Sequence, residues 1–124
     1  IKLNITAVYS FEQVKKIVRC IKTTTPVIIS IFAGRMSDTG INPIPTLKKS
    51  IALVKKKKNI QILWASTREP YNYLQAKELK CNIITMPPKI IDQIKNFGKS
   101  SIQLTLETIK GFLKDSKSSK FYLK

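Results

Sequence analysis

The sequence predicts an α/β fold, a parallel sheet with its helices outside, built from strand–helix units in series. Three observations carry that prediction. Short apolar runs alternate with stretches of helical apolar spacing, four times over. The runs "VIISIF" and "IQILWA" are almost continuously apolar, which suits strands covered on both faces. The 124 residues make one modest domain, or half of the roughly 250 residues of a (β/α)8 barrel.

Residues 3–9, "LNITAVY", read as the first strand. Ser10 then offers a capping hydroxyl, with Gln13 three positions on to complete a capping box. Val14, Ile17, Val18 and Ile21 follow at helical spacing, and "TTTP" stops that helix. Residues 27–32 are the second strand. A loop with Gly34, Gly40 and Pro43 leads to a helix near 45–57, whose Leu47, Ile51 and Val54 share one face. Residues 60–65 form the third strand, and Pro70 suits the first turn of the helix after it. "NIIT", residues 82–85, is a shorter fourth strand. Pro88 introduces a helix carrying Ile90, Ile91 and Ile94, and Gly98 fits its end. A last helix over 102–115 turns Ile102, Leu106, Ile109 and Leu113 inward. The tail from residue 116 to 124 is expected to fray. No repeat or linker divides the chain.

Two architectures fit four such units: a small doubly wound sheet and half of a (β/α)8 barrel. Both place their sites at the C-terminal mouth of the strands. Period-2 alternation pairs Asn4 with Thr6, Ser30 with Phe32, and Trp64 with Ser66. On that parity, polar residues from three strands converge on one pocket. Trp64 reads as a packed interior aromatic ahead of a ring stacked on substrate.

Composition excludes several chemistries. The chain has no histidine, which removes Ser-His-Asp catalysis and a histidine-bound metal. Cys20 and Cys81 lack metal-ligand spacing and read as buried free thiols of a reducing cytosol. The chain shows no run of about 18 apolar residues and no signal-peptide order at its start. It opens without methionine on strand-like sequence, so a segment of something longer is expected. The net charge is +16, from 20 lysines and three arginines against seven acids. With 19 isoleucines against five valines, that excess reads as a compositional bias and a solvated lysine exterior. A lysine-rich α/β module that binds RNA is the alternative, although no aromatic residues interleave with the basic ones. "GKSS" at 98–101 lacks the upstream glycine of a phosphate-binding loop.

The arginines are more pointed. Arg35 and Arg68 each fall just past a predicted strand end, after "FAG" and "AST". Two guanidinium groups on neighbouring strand ends can clamp one phosphate, each through two parallel hydrogen bonds. Ser66 and free N–H groups at the start of the next helix would add donors. A plain ion pair with Asp38 or Glu69 is the competing reading.

"LNITAVYS", "SIFAGRMSDTG" and "ILWASTREP" together resemble the transaldolase family, and its short members akin to fructose 6-phosphate aldolase most. The resemblance implies that this chain is strands five to eight of a (β/α)8 barrel plus a terminal helix. It implies supporting catalytic roles for Asn4, at substrate hydroxyls, and Thr6, at a catalytic water. It gives Ser30 a sugar hydroxyl, Phe32 a place in the pocket wall, and Arg35, Ser66 and Arg68 the sugar phosphate. The family's Schiff-base lysine lies on the strand before Asn4, so it precedes residue 1; its acid–base carboxylates lie earlier still. The resemblance therefore implies a pentose phosphate enzyme whose phosphate-binding half is present and whose nucleophile is not. Fructose 6-phosphate cleavage is the nearest alternative. It further implies a cytoplasmic homo-oligomer without metal or organic cofactor, whose partner is its sugar-phosphate substrate, neither nucleic acid nor membrane.

Overall fold

The structure, a computed structural model, describes residues 2–119. Two compact units divide at Ile94 and Lys95. In the first, β1 (Leu3–Val8), α1 (Phe11–Cys20), β2 (Val27–Phe32), α2 (Ala33–Asp38), α3 (Ile44–Val54), β3 (Ile60–Ala65), α4 (Tyr71–Glu78), β4 (Ile83–Ile84) and α5 (Pro88–Gln93) follow in order. A 3-10 turn, Ile94–Asn96, succeeds α5.

All strands are parallel and stand in the order β1-β2-β3-β4. Consecutive strands are neighbours, so the chain winds in one direction, as consecutive units of a barrel do. A doubly wound sheet requires a reversal of strand order that is absent among the described strands. The predicted strands over 27–32 and 60–65 match β2 and β3 residue for residue.

Register divides the residues between two faces. Val27, Ile29 and Ile31 pair with Ile60, Ile62 and Trp64, and these join Val14 of α1, Leu47 and Val54 of α3 and Ala76 of α4 in one core. Burying an isoleucine such as Ile62 contributes about 1.5–3 kcal/mol. The opposite face carries Asn4, Ile28 and Gln61 in one row, then Ser30, Leu63 and Ile83. The α1 start is the predicted capping box: Gln13 N–H donates to Ser10 Oγ (3.1 Å), and Ser10 N–H to Gln13 Oε1 (3.2 Å).

The second unit contains α6 (Ser101–Ser119). It runs past the predicted end at 115; residues 120–124 of the tail expected to fray lie outside the described residues. Ile102, Leu106, Ile109 and Leu113, expected to face inward, are exposed, because the unit holds no second helix or strand among its described residues to cover them. Cys20 is exposed rather than buried, at the last position of α1. Cys81 is half-buried, and its thiol donates to Ile62 O and Ile83 O (3.4 and 3.3 Å), while burial pushes its pKa up. No described helix is long and apolar enough to cross a membrane.

Candidate anion site at the carboxyl ends of the strands

The site is built where β2 and β3 end together, at Phe32 and Ala65, which are register partners. Arg35 and Arg68 each stand three residues beyond those partners. Sequence read as loop becomes the short helix α2, which begins with no capping side chain, and carries Arg35 and Asp38. Gly34 permits this turn through a close backbone approach. A Cβ there would lie 1.6 Å from Ser66 O and 2.8 Å from Arg68 Cγ. The absent side chain brings the two strand ends into contact.

Asp38 pairs with Arg68. Arg68 donates from Nη2 to Asp38 Oδ2 at 2.8 Å, and from Nε to Oδ2 and Oδ1 at 3.2 and 3.3 Å. That hydrogen-bonded guanidinium holds the Asp38 carboxyl below its usual range, and the charge of Arg35 adds to the effect. The same pair raises the Arg68 pKa. The ion pair foreseen as the competing reading therefore exists for Arg68, and it leaves Nη1 outside those bonds. Arg35 has no hydrogen-bonded carboxylate among the described residues. Its guanidinium stands 5.9 Å from the Phe32 ring centre, within cation–π range. Phe32 is in turn set edge-on by Tyr9, with centroids 5.8 Å apart.

Asn4 and Ser30 meet as expected: Ser30 Oγ donates to Asn4 Oδ1 at 2.8 Å. The bond fixes a buried hydroxyl and leaves the Asn4 amide nitrogen as a donor. Thr6 is exposed at an irregularity. Ile5 pairs with Ile29 and Val8 with Ile31, so Thr6 and Ala7 together oppose Ser30, and Ala7 takes φ +58°. This is a bulge, which breaks the simple alternation assumed for Thr6.

Trp64 requires a correction. It pairs with Ile31, not with a residue of the Ser30 face. Its ring packs in the helix-side core. The residues of β3 that share the face of Ser30 are Gln61, Leu63 and Ala65. Ser66 lies beyond the strand with φ +62°, and its Oγ is buried without a hydrogen-bond partner among the described residues.

Two residues of this rim were not foreseen. Asn72 Oδ1 accepts from Arg68 N–H and Glu69 N–H, both at 3.1 Å, and Asn72 Nδ2 donates to Gln75. These bonds occupy the two backbone N–H groups that precede α4. Thr67 is buried, and its hydroxyl donates to Thr85 O at 2.6 Å, tying the turn after β3 to the end of β4. The "REPYN" spacing carried a signal for Asn72: a carboxamide one turn in can reach back over Pro70, which has no N–H of its own. A cavity of about 220 Å³ opens here, lined by Gly34, Ser37, Asp38, Trp64, Arg68 and Asn72 among others. No group of three or more His, Cys, Asp or Glu among the described residues could hold a metal ion.

A pH dependence follows from the pair. Asp38 has a folded pKa below its unfolded value, so its contribution to stability is present above the unfolded pKa and is lost as pH falls through the folded one. Carbon-detected NMR titration should place the Asp38 midpoint below that of an unpaired aspartate. Arg68→Gln should move it back up and flatten the acid limb of the stability curve. An unmoved midpoint in Arg68→Gln would mean that the pair does not form in solution.

The family model for transaldolase/fructose-6-phosphate aldolase matches residues 1–123. Over 117 residues the chain is 29% identical to a probable transaldolase of Caldicellulosiruptor saccharolyticus, covering 93% of this chain and 50% of that protein. It is 30% identical over 116 residues to one of Clostridioides difficile, at 93% and 50% coverage. A third, from Herpetosiphon aurantiacus, is 32% identical over 96 residues, at 76% and 41%. The chain spans about half the length of the curated relatives it matches.

Proposed function

The chain belongs to the transaldolase/fructose-6-phosphate aldolase family, and from that premise we propose that it is strands five to eight of a (β/α)8 barrel, the phosphate-binding half of an enzyme that transfers a dihydroxyacetone unit between sugar phosphates. The donor is sedoheptulose 7-phosphate and the acceptor glyceraldehyde 3-phosphate, as in the pentose phosphate pathway. The nucleophile is a lysine of the other half. Its free amine adds to the ketose carbonyl and expels water to give an iminium, into which the electrons of the breaking carbon–carbon bond flow.

The roles within this chain are binding and orientation. Arg35 and Arg68 hold the sugar phosphate with Ser66, and Asp38 fixes the angle of Arg68 without consuming all its donors. Asn4 and Ser30 address sugar hydroxyls from one hydrogen-bonded unit, Phe32 walls the space between, and Thr6 steadies the attacking water. The observation that carries the reading is the pair of guanidiniums at matching positions past register-paired strand ends. Each could supply a fork of charge-assisted bonds to the same anion.

In the complete barrel, Arg35→Lys should raise KM for phosphorylated sugars, because a point charge replaces a planar fork. The loss should be about 1.5–3 kcal/mol in kcat/KM. Unchanged kinetics with sugar phosphates would count against the clamp. Residues 1–124 on their own should yield no borohydride-trapped adduct with fructose 6-phosphate; a trapped adduct would move the nucleophile into this half. Product analysis without acceptor aldehyde separates transfer from cleavage, the fructose 6-phosphate aldolase alternative.

A further inference from the structure

A cavity of about 440 Å³ opens at the amino ends of the strands, away from the arginine rim. It is walled by the turns that end α3 and α4 and by the starts of β3 and β4. Lys48, Lys55, Lys57, Lys58 and Lys80 line it, and no acidic residue does. Among the described residues none of these five ammonium groups has a carboxylate within 4.0 Å. Ile51, Val54, Ile60 and Leu79 supply an apolar floor beneath them.

The basic turn is held in shape. Asn59 Nδ2 donates to Lys22 O (3.0 Å) and Thr25 O (2.8 Å), Lys57 N–H donates to Val54 O (2.9 Å), and Ile60 N–H to Lys57 O (3.2 Å). Asn82, also in the lining, accepts from Ile62 N–H at 2.8 Å, and its amide nitrogen remains a donor. Lys80 takes φ +58°, a conformation usually left to glycine or asparagine after a helix. A lysine there accepts backbone strain and adds a charge to an already basic hollow. Like charges gathered in a concavity repel one another and concentrate anions. A merely solvated lysine coat needs neither the hollow nor the floor.

We propose that this cavity binds a nucleoside diphosphate or triphosphate. Lysines act as point charges on the phosphates, and the apolar floor receives the flat base. The volume lies within the ordinary range for small-molecule sites. The lining residues include none of the arginine rim.

The test is calorimetric titration of the chain with ATP, inorganic triphosphate and adenosine at low ionic strength. ATP should bind more tightly than triphosphate, adenosine should not bind measurably, and added salt should weaken ATP steeply. The double variant Lys57→Glu with Lys80→Glu should lose at least tenfold in ATP affinity, and Lys57→Gln with Lys80→Gln a smaller amount in the same direction. Lys16→Glu with Lys89→Glu changes net charge equally but should alter affinity less than twofold, as should Arg35→Ala with Arg68→Ala. Equal losses in both charge reversals would reduce the binding to diffuse attraction and overturn the site. So would loss in the arginine variant, or triphosphate binding as tightly as ATP.

Discussion

Gly34→Ala should lower stability by about 3 kcal/mol, the upper part of the range for forcing an atom into a packed site, and depress Tm by roughly 10 °C. The Cβ would meet the Ser66 carbonyl oxygen at 1.6 Å and the Ser66 carbonyl carbon at 2.8 Å. Both are backbone atoms, which cannot swing aside as a side-chain tip can. Relief requires the turn after β2 to separate from the turn after β3, where Ser66 already holds a left-handed φ of +62°. The same movement would carry Arg68 away from Asp38, because Arg68 Cγ is the third atom in the way. Gly111→Ala is the contrasting case. Its Cβ meets nothing within 4 Å inside α6, so the helix should gain about 0.5–1 kcal/mol. Denaturant unfolding of both variants decides the matter, and equal stability of Gly34→Ala and the parent would refute the close contact.

Much of the fold was legible because each element carries its own local signal. "VIISIF" and "IQILWA" announce strands by β-branching and length, and Ser10 with Gln13 announces a helix start by reciprocal hydrogen bonds that need no tertiary help. Helix α2 escaped notice because nothing local marks it. Phe32 precedes it without a capping side chain, and its six residues are too few to show a periodic stripe. What holds it is tertiary: Met36 and Ala33 in the core, and Gly34 against Ser66.

The candidate site divides along the same line. The positions of Arg35 and Arg68 were readable, since both follow clear strand ends. Which way the strand residues face was not readable in full. Alternation fixes the phase within one strand, but the phase between strands comes from pairing. In β3 Gln61 alone is polar and marks the face of Leu63 and Ala65, but parity counted from Ser66, beyond the strand end, groups Trp64 with residues that lie on the other side. For Thr6 and Ser66 the left-handed backbone at Ala7 and at Ser66 ends the period itself. Asp38 was readable as an ion-pair partner, but that it takes Arg68 depends on a distance between separate turns, whereas the bonds of Asn72 to Arg68 N–H and Glu69 N–H are local and within reach of a spacing rule.

Trp64→Ala should cost about 3–5 kcal/mol, a large share of the 5–15 kcal/mol that domains typically have. The ring is 1% exposed and its strand neighbours are Ile31 and Ile84, so truncation leaves a void among side chains that cannot close it. Trp64→Phe separates packing from polarity. The indole Nε1 is buried without an acceptor among the described residues, so the parent already bears the cost of a desolvated N–H. Phenylalanine loses ring volume but removes that unpaired donor, and the two effects oppose each other; the net change should stay within about 1.5 kcal/mol. Circular dichroism is the suitable readout, since the chain has one tryptophan and fluorescence would vanish with it. A ring serving substrate at the mouth predicts the reverse pattern. There, Trp64→Ala would keep its unfolding midpoint and raise KM in the complete barrel, and that result would return the indole to the face of Asn4 and Ser30.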